Sequence, residues 1–309
     1  MAGVCAAARR AHGTLWGQTG TRGSKILTQW GVATDAGGRR SVNEDAALAE
    51  APVFVVADGM GGHARGEMAS QTVVEVFREL AGGPARDITA ADVDAAVLEA
   101  AARIRRTMAA ETVAGWVETD GRDPVAGTTV AGVILTTQDG DPYWLVLNVG
   151  DSRVYRFAGD RLEQISVDHS LVQEMVDAGT LEPGMARTHP RRNVITRAIG
   201  SGRDCAVDFW MLRVHPAERI LLCTDGLVGE LEDAEIAEVL GTVADPGQAA
   251  QTLLCRAVDG GASDNVTVVV VDAPAEVTTT GTTVRTGGTP AESDDDDTGS
   301  TLPGGARRG

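Results

Sequence analysis

The apolar positions along the chain fall into short runs of the kind that form buried strands. Eight runs between residues 26 and 272 are rich in Val, Ile and Leu, and several are continuously apolar, as expected for strands buried on both faces. They are ILTQWGVATD, VFVVAD, GTTVAGVIL, YWLVLNVGD, RVYRFAGDRLEQIS, CAVDFWMLRV, RILLCTDG and NVTVVVVD. Within the fifth run, Ala158-Gly159-Asp160 separates two alternating halves, which predicts a hairpin.

Four other segments carry Ala, Leu, Val and Ile at helical spacing. They are GEMASQTVVEVFRELAG, ADVDAAVLEAAARIRRTMAA, DAEIAEVLG and PGQAAQTLLCRAVDGG. The strands do not alternate one-for-one with these helices, which argues against a doubly wound parallel sheet. The pattern therefore predicts an α+β fold in which two antiparallel sheets are covered by helices.

Composition divides the chain into three regions. Residues 1–25 show no regular pattern and are interpreted as a flexible N-terminal leader. Residues 26–273 carry the whole apolar pattern and are expected to form one domain. Residues 274–309 are rich in Thr, Gly and Asp, and too few apolar side chains remain there to offset the entropy of ordering. This last region is predicted to be a disordered polar and acidic tail.

The charge balance excludes some functions. The formal net charge of -17 opposes binding to nucleic acid or to an anionic membrane, because both need an excess of Lys and Arg. No run approaches the roughly 20 apolar residues of a membrane span, and the N-terminus is a poor signal peptide. A cytoplasmic protein is expected. The acidic excess either serves solubility or includes ligands for hard divalent cations.

Aspartates stand at the margins of the apolar strands, most of them beside glycine: Asp45, Asp58, Asp151, Asp225 and Asp264. A single aspartate at a strand end is more often a turn former, because its side chain bonds nearby backbone. Five such positions favour another interpretation. If the fold gathers them, their charges repel at short range and cations relieve that repulsion. Oxygen ligands without cysteine select Mg²⁺ or Mn²⁺, so a two-metal carboxylate site is predicted.

Eight motifs occur in the order typical of one family: RSVNEDA, DGMGGHARGEMAS, GTTVAGVIL, NVGDSRVYRF, DHSLVQEMVDAG, THPRRNVITRAIG, LLCTDGLVGEL and SDNVTVVVVD. Together they cover residues 26–272, and the chain closely resembles the bacterial PPM-family (type 2C) metal-dependent Ser/Thr protein phosphatases. The resemblance implies a central sandwich of two antiparallel β-sheets, flanked by helices on both outer faces, with the metals at one end. It also implies Mn²⁺ or Mg²⁺ as cofactor, as two ions and in some members three.

The resemblance assigns metal ligands residue by residue. Asp58 is similar to the acid that bridges the two metals, and Gly59 to the residue whose carbonyl is a ligand. Asp225 and Asp264 resemble the remaining ligands of the second metal.

Three more acids match positions near the metals. Glu44 and Asp45 match an acidic pair that binds metal directly or through water, and which of the two is the direct ligand stays open. Asp151 matches an acid linked to a third, weaker metal in bacterial members.

The resemblance also implies the reaction. A water or hydroxide bridging the metals attacks phosphorus in line, and phosphoserine or phosphothreonine on a protein loses its phosphate. Arg40 matches an arginine that grips the substrate phosphate, although on its own it reads as a solvated arginine. His63 resembles the candidate acid that protonates the leaving group, and a histidine titrating near neutrality suits that role. His189 lies in a segment that resembles a mobile flap and is a candidate substrate contact.

The expected partners are phosphorylated proteins, among them a Ser/Thr kinase and its substrates, and a monomer is expected. Two alternatives stay open. The chain could be a catalytically dead relative that binds phosphoproteins, but the acids and the arginine that such a relative would lose are present. It could instead be an unrelated metal-dependent hydrolase or metal-binding protein that shares only the aspartates. A switch-type member of the family that acts on one specific partner protein also stays open.

Overall fold

The computed structural model describes residues 9–11, 28–62, 64–84, 86–113, 126–202, 205–273, 276–279 and 282–285. The strands, in chain order, are β1 (Arg9–Ala11), β2 (Gln29–Asp35), β3 (Ala46–Glu50), β4 (Val53–Ala57), β5 (Gly59–Met60), β6 (Gly127–Thr128), β7 (Val130–Gln138), β8 (Asp141–Val149), β9 (Arg153–Ala158), β10 (Arg161–Gln164), β11 (Asp208–Arg213), β12 (Arg219–Cys223), β13 (Val266–Asp272), β14 (Glu276–Thr279) and β15 (Thr282–Arg285).

The helices are α1 (Ala64–Ala81), α2 (Ala90–Val113), α3 (Leu171–Asp177), α4 (Pro183–Ala186), α5 (Asp225–Glu230), α6 (Asp233–Thr242) and α7 (Pro246–Gly260). Helix α7 shows how local sequence signals set the two ends of a helix. Asp245 caps its first turn by accepting a hydrogen bond from the Gln248 N–H, Pro246 begins it, and Gly261 ends it in the left-handed conformation.

Two antiparallel sheets form the centre of the protein. The six-stranded sheet has the order β1-β2-β13-β12-β9-β10, and the five-stranded sheet has the order β11-β8-β7-β4-β3. Each neighbouring pair in both sheets is antiparallel. Two small pairs, β5–β6 and β14–β15, lie outside them. The hairpin predicted at Ala158-Gly159-Asp160 joins β9 to β10.

The core has three layers, and the alternation along β13 shows how they arise. Val268 and Val270 pack with α5, α6 and α7 on the outer face of the six-stranded sheet. Val269 and Val271 point the other way, into the apolar layer between the two sheets. Helices α1 and α2 cover the outer face of the five-stranded sheet in the same manner. The predicted sandwich with helices on both outer faces is confirmed.

The structure also differs from the sequence-based expectations at several places. The four predicted helices are present as α1, α2, α6 and α7, whereas β3, α3, α4 and α5 were not predicted. Strand β1 lies in the segment expected to be an irregular leader, and it pairs with β2. Strands β14 and β15 lie in the segment expected to be a disordered tail. The remainder of both segments lies outside the described residues, and the domain boundaries stay predictions.

The two ends of the sandwich carry different residues. At one end, called here the acidic end, stand Asp45, Asp58, Asp151, Asp225 and Asp264, each within two residues of the end of a core strand. At the other end, called here the far end, stand Trp144, Arg156, Glu218, Arg219 and Asp272, near the opposite ends of β8, β9, β12 and β13.

Candidate metal centre

The fold brings the five predicted aspartates into one electrostatic cluster. Asp58 lies at its centre, because the charges of Asp45, Asp225, Asp151 and Asp264 all act on it. Hydrogen bonding to Asp58 lowers the pKa of Asp225, against the rise that burial causes. Strands that are distant in sequence therefore bring their terminal acids to one place.

Burial and mutual repulsion favour the protonated forms of Asp45, Asp58, Asp151 and Asp225. Burial raises the pKa of Asp45 to about 7, that of Asp225 to about 6 and that of Asp151 to about 8. The pKa of Asp58 is raised well above its ordinary value, first by burial and then by the four neighbouring carboxylates. Such a cluster is unfavourable as a set of bare anions and becomes favourable beside cations.

The residues present suit hard divalent cations. Asp45 Oδ1 and Asp151 Oδ1 are buried, and neither has a hydrogen-bond partner among the described residues. Buried carboxylate oxygens without a donor are the ligand type that Mg²⁺ and Mn²⁺ take. In the described conformation, no three Asp, Glu, His or Cys side chains of the described residues converge closely enough to hold a single ion. The suitability of the site for divalent cations thus rests on the chemistry of these carboxylate oxygens.

Gly59 lies where no side chain fits. A Cβ on Gly59 would overlap the backbone of Gly66 at the start of α1 and the carbonyl oxygen of Glu44. A Cβ on Gly66 would overlap the Glu44 carboxylate. The two glycines thus allow the chain beyond Asp58 to pack directly against α1 and against the predicted acidic pair.

Glu44 and Asp45 are held by different neighbours. Glu44 is buried; its N–H donates to Asn265 Oδ1 at 2.8 Å and its carbonyl oxygen accepts a bond from Ser70 Oγ. Asp45 Oδ2 accepts a hydrogen bond of 2.8 Å from Thr224 Oγ1, which leaves Oδ1 free of described partners. Which of the two acids is a direct ligand stays open.

Threonines on neighbouring strands fix the acids, and the sequence did not single them out. The Asp58 N–H donates to Thr129 Oγ1 at 3.0 Å, and Thr128 Oγ1 donates to the Asp58 carbonyl oxygen at 2.8 Å. Thr224 Oγ1 holds Asp45 and also accepts the Thr267 N–H. The Gly-Thr-Thr motif was the available signal, but the pairing of its hydroxyls depends on strand register.

Arg40 contacts the cluster directly. Its guanidinium Nη2 donates to Asp264 Oδ2 at 2.9 Å, and the Arg40 side chain is 51% exposed. The negative charges of Glu44 and Asp58 also act on it. The predicted phosphate-gripping arginine therefore lies at the solvent-facing rim of the acids.

The predicted histidines are less well placed. His63 lies outside the described residues, so its role stays a prediction. His189 is half-buried, and its Nδ1 accepts the Arg191 N–H at 3.2 Å. No described bond links His189 to the acids. Arg187, two residues earlier, ties this loop to α5 through the carbonyl oxygens of Gly229 and Leu231.

His169, which the sequence analysis did not single out, is buried near Asp151. Its Nδ1 accepts the Gly150 N–H at 3.0 Å, so its Nε2 carries the proton and faces Asp208 at 3.1 Å. Arg197 donates to the other oxygen of Asp208 at 2.7 Å. His169 therefore acts as a neutral acceptor that fixes the turn before Asp151.

No helix in the described part of the chain combines the length and the apolar character that crossing a membrane requires. A helix-flanked double sandwich with a carboxylate cluster and an arginine at one end defines a candidate divalent-cation hydrolase.

Comparison with known proteins identifies the family. The profile of the family described as protein phosphatase 2C matches residues 37–257. The chain is 35% identical over 248 residues to the serine/threonine protein phosphatase PstP of Mycobacterium tuberculosis, which covers 80% of this chain and 45% of that protein. It is 29% identical over 244 residues to the serine/threonine phosphatase stp of Listeria innocua, covering 77% of this chain and 93% of the relative.

A solved structure agrees with the fold. The catalytic domain of PstP in complex with 2 manganese ions superposes with a TM-score of 0.69 at 31% identity, covering 81% of this chain and 100% of that one. The chain belongs to the protein phosphatase 2C (PPM) family of metal-dependent Ser/Thr protein phosphatases. The family recognised from the motifs is confirmed. This chain spans less than half the length of the mycobacterial PstP sequence that it matches.

Proposed function

We propose that this chain hydrolyses phosphoserine and phosphothreonine on other proteins, with two Mn²⁺ or Mg²⁺ ions at the acidic end. The observation that carries the proposal is the pair of buried, unpartnered carboxylate oxygens of Asp45 and Asp151 within a cluster centred on Asp58. The two manganese ions of the PstP catalytic domain support the choice of metal. Asp58, Asp225 and Asp264, one or both of Glu44 and Asp45, and the Gly59 carbonyl would hold the two ions. When bound, the cations lower the pKa of a water nucleophile and neutralise charge on the phosphoryl oxygens.

Arg40 is the side chain that would bind the substrate phosphate. Its planar guanidinium fits two oxygens of a phosphate group. Because Arg40 is half exposed and contacts Asp264, it can meet a phosphate arriving from solvent without a change of fold. Its position at the rim would hold the phosphate over the acids and leave the protein chain of the substrate outside.

Further assignments belong to the same proposal. His63 would donate the proton that the serine or threonine oxygen needs on leaving. His189, on its exposed loop, would contact the substrate protein. Asp151 would hold a third ion. The substrates would include a Ser/Thr kinase and its targets, and the protein would act as a cytoplasmic monomer.

The test is phosphate release from a phosphothreonine peptide and from p-nitrophenyl phosphate, with Mn²⁺, with Mg²⁺ and with EDTA. Asp58→Asn is compared with Asp94→Asn, the same change on the exposed face of α2. Metal-dependent release that is lost in EDTA and in Asp58→Asn, but kept in Asp94→Asn, supports the proposal. A folded chain without activity on either substrate with either cation would overturn it in favour of a binding module.

A further inference from the structure

One buried amide ties together the segment that carries Arg40. Asn265, 4% exposed, donates from Nδ2 to the carbonyl oxygens of Ala36 and Val42, at 3.0 Å each. Its Oδ1 accepts the Glu44 N–H at 2.8 Å. Both donors of the amide and its acceptor are thus used, and all three partners are backbone atoms of residues 36–44.

The two carbonyls lie at the two ends of the Arg40 segment, defined here as residues 36–42. Residues 38–41 of this segment are exposed, and Gly38 is the one residue among them with a described backbone bond to another part of the chain, at the Ala262 carbonyl. Asn265 therefore closes the base of a loop whose tip carries the arginine.

The residue before Asn265 holds the other end of Arg40. Asp264 accepts the hydrogen bond from the Arg40 guanidinium, and its Oδ1 accepts the Asn265 N–H. Two consecutive residues at the start of β13 thus fix the base of the Arg40 segment and the head of its arginine. These hydrogen bonds fix the position of Arg40 relative to the acids, at its backbone through Asn265 and at its guanidinium through Asp264.

We propose that Asn265 is a positioning residue that sets where Arg40 meets the substrate phosphate. The inference rests on the proposed function, since it concerns the phosphate that Arg40 would bind. Asn265 itself touches no substrate in this account. Its effect passes through the backbone of the Arg40 segment.

The hydrogen bonds require an amide in particular. A carboxylate at this position would face the Ala36 and Val42 carbonyl oxygens with an acceptor where both need a donor. Alanine would leave two carbonyls and one N–H without partners, which favours movement of the segment towards water. Either change displaces Arg40 and leaves the aspartates on their own strands. The loss is therefore expected in phosphate affinity more than in the chemical step.

The experiment compares four full-length variants: Asn265→Ala, Asn265→Asp, Arg40→Ala and the double variant Arg40→Ala/Asn265→Ala. KM and kcat are measured on a phosphothreonine peptide with saturating Mn²⁺, together with inhibition by inorganic phosphate. Asn265→Ala is expected to raise KM and the phosphate inhibition constant about tenfold while kcat changes less than about threefold. Asn265→Asp is expected to match or exceed it. In the double variant, KM should lie within about twofold of that of Arg40→Ala alone, because both changes remove one interaction.

A control separates positioning from general loss of stability. Thr136→Val removes a buried hydroxyl that donates to the Ile88 carbonyl at 3.0 Å, on β7 away from the acids. It should lower Tm and leave KM unchanged, whereas Asn265→Ala changes both. Calorimetric titration with Mn²⁺ should give an affinity for Asn265→Ala within about threefold of the wild type, since Asp58 and Asp45 keep their bonds to Thr129 and Thr224, and Glu44 loses one backbone bond but keeps that to Ser70.

Two results would overturn the inference. One is an Asn265→Ala variant that behaves like Thr136→Val, with Tm lowered and KM unchanged. The other is a double variant whose loss equals the product of the two single losses. An inactive wild-type chain would contradict the proposed function instead. In that event, calorimetric binding of inorganic phosphate to the Mn²⁺-loaded variants gives the same comparison without turnover.

Discussion

Buried carboxylates occur at both ends of the sandwich, but with opposite surroundings. At the far end, Glu218 is fully buried and accepts bonds from Trp144 Nε1, Arg156 Nε and the His215 N–H. At the acidic end, the charges that act on Asp58 are those of four other carboxylates. The far-end acid is matched by donors within the protein, whereas at the acidic end Asp45 Oδ1 and Asp151 Oδ1 have no donor among the described residues.

Arg219 completes the far end. Its guanidinium donates to both oxygens of Asp272 and to the carbonyl oxygens of Leu240, Val243 and Ala244. Strand β12 thus begins at a fully bonded arginine, and two residues beyond its other end lies Asp225, whose pKa is raised by burial and by Asp264. The difference teaches that carboxylate side chains stabilise the fold at one end and, under the proposed function, bind cations at the other. The two ends should respond to substitution in opposite ways.

The largest expected effect breaks the acidic end. Asp58→Asn should lower kcat on a phosphothreonine peptide by about 100-fold or more, since a preorganised charged group is removed from the reacting centre. The same change removes a repelled carboxylate, so the unfolding free energy in EDTA should stay equal or rise. Steady-state kinetics and urea unfolding measure the two quantities. A fall in both would mean that Asp58 is structural.

The second effect breaks the far end. Arg219→Met should lower the unfolding free energy by about 3–5 kcal/mol, because it leaves Asp272 and three carbonyl groups without their donor. Arg256→Met removes an exposed ion pair with Glu238 and should cost far less than Arg219→Met, because solvent screens an exposed pair. Urea unfolding of both variants tests this. Equal costs would contradict the description of the far end.

The third effect sharpens the comparison by adding the metal. Free Mn²⁺ at 100 times its dissociation constant should stabilise the wild type by about 2.7 kcal/mol. Arg219→Met should keep this gain, whereas Asp58→Asn should lose most of it. Thermal unfolding with Mn²⁺ and with EDTA gives the values. An equal gain in both variants would place the cations away from the acidic end.

The smallest effect concerns His169, next to the acidic end. Burial lowers the pKa of His169 below the ordinary 6.5, and the positive charge of Arg197 lowers it further. The hydrogen bond to Asp208 and the charges of Asp208 and Asp168 raise it, but by less. The unfolded chain then binds a proton that the folded chain does not. The stability due to neutral His169 is therefore full above pH 6.5 and is lost as the pH falls towards the folded-state pKa.

His169→Asn tests this dependence. The advantage of the wild type over the variant in unfolding free energy should be largest above pH 6.5 and should shrink between pH 6.5 and pH 5. Urea unfolding in EDTA at several pH values measures it. An advantage that stays constant over this range would show that His169 does not titrate between those values.

The strands and long helices could be read from the sequence because their signals are local. The alternation of β13 and the capped pattern of α7 each act within a few residues. Strand β3 was missed because AALAE is alanine-rich and carries no β-branched residue. Helix α5 was missed because its six residues begin with an Asp-Gly pair that resembles a turn.

The acids of the site could be predicted, but not the groups that hold them. Each aspartate stands at the end of an apolar run, which is visible in one dimension. Thr129, Thr224 and Asn265 act on residues between 71 and 229 positions away. Those pairings depend on how strands from the whole chain lie side by side, and a single sequence does not encode that in any local pattern.

The bond between Trp144 and Glu218 gives the far end an optical signal. Trp144 is fully buried, and its indole N–H donates to a carboxylate at 2.8 Å. An indole in that setting fluoresces differently from one in water. In a variant that keeps Trp144 as its one tryptophan, emission would follow the melting of the far end, while phosphate release would follow the acidic end. The protein thus carries an intrinsic fluorophore at the far end, away from the proposed metal centre.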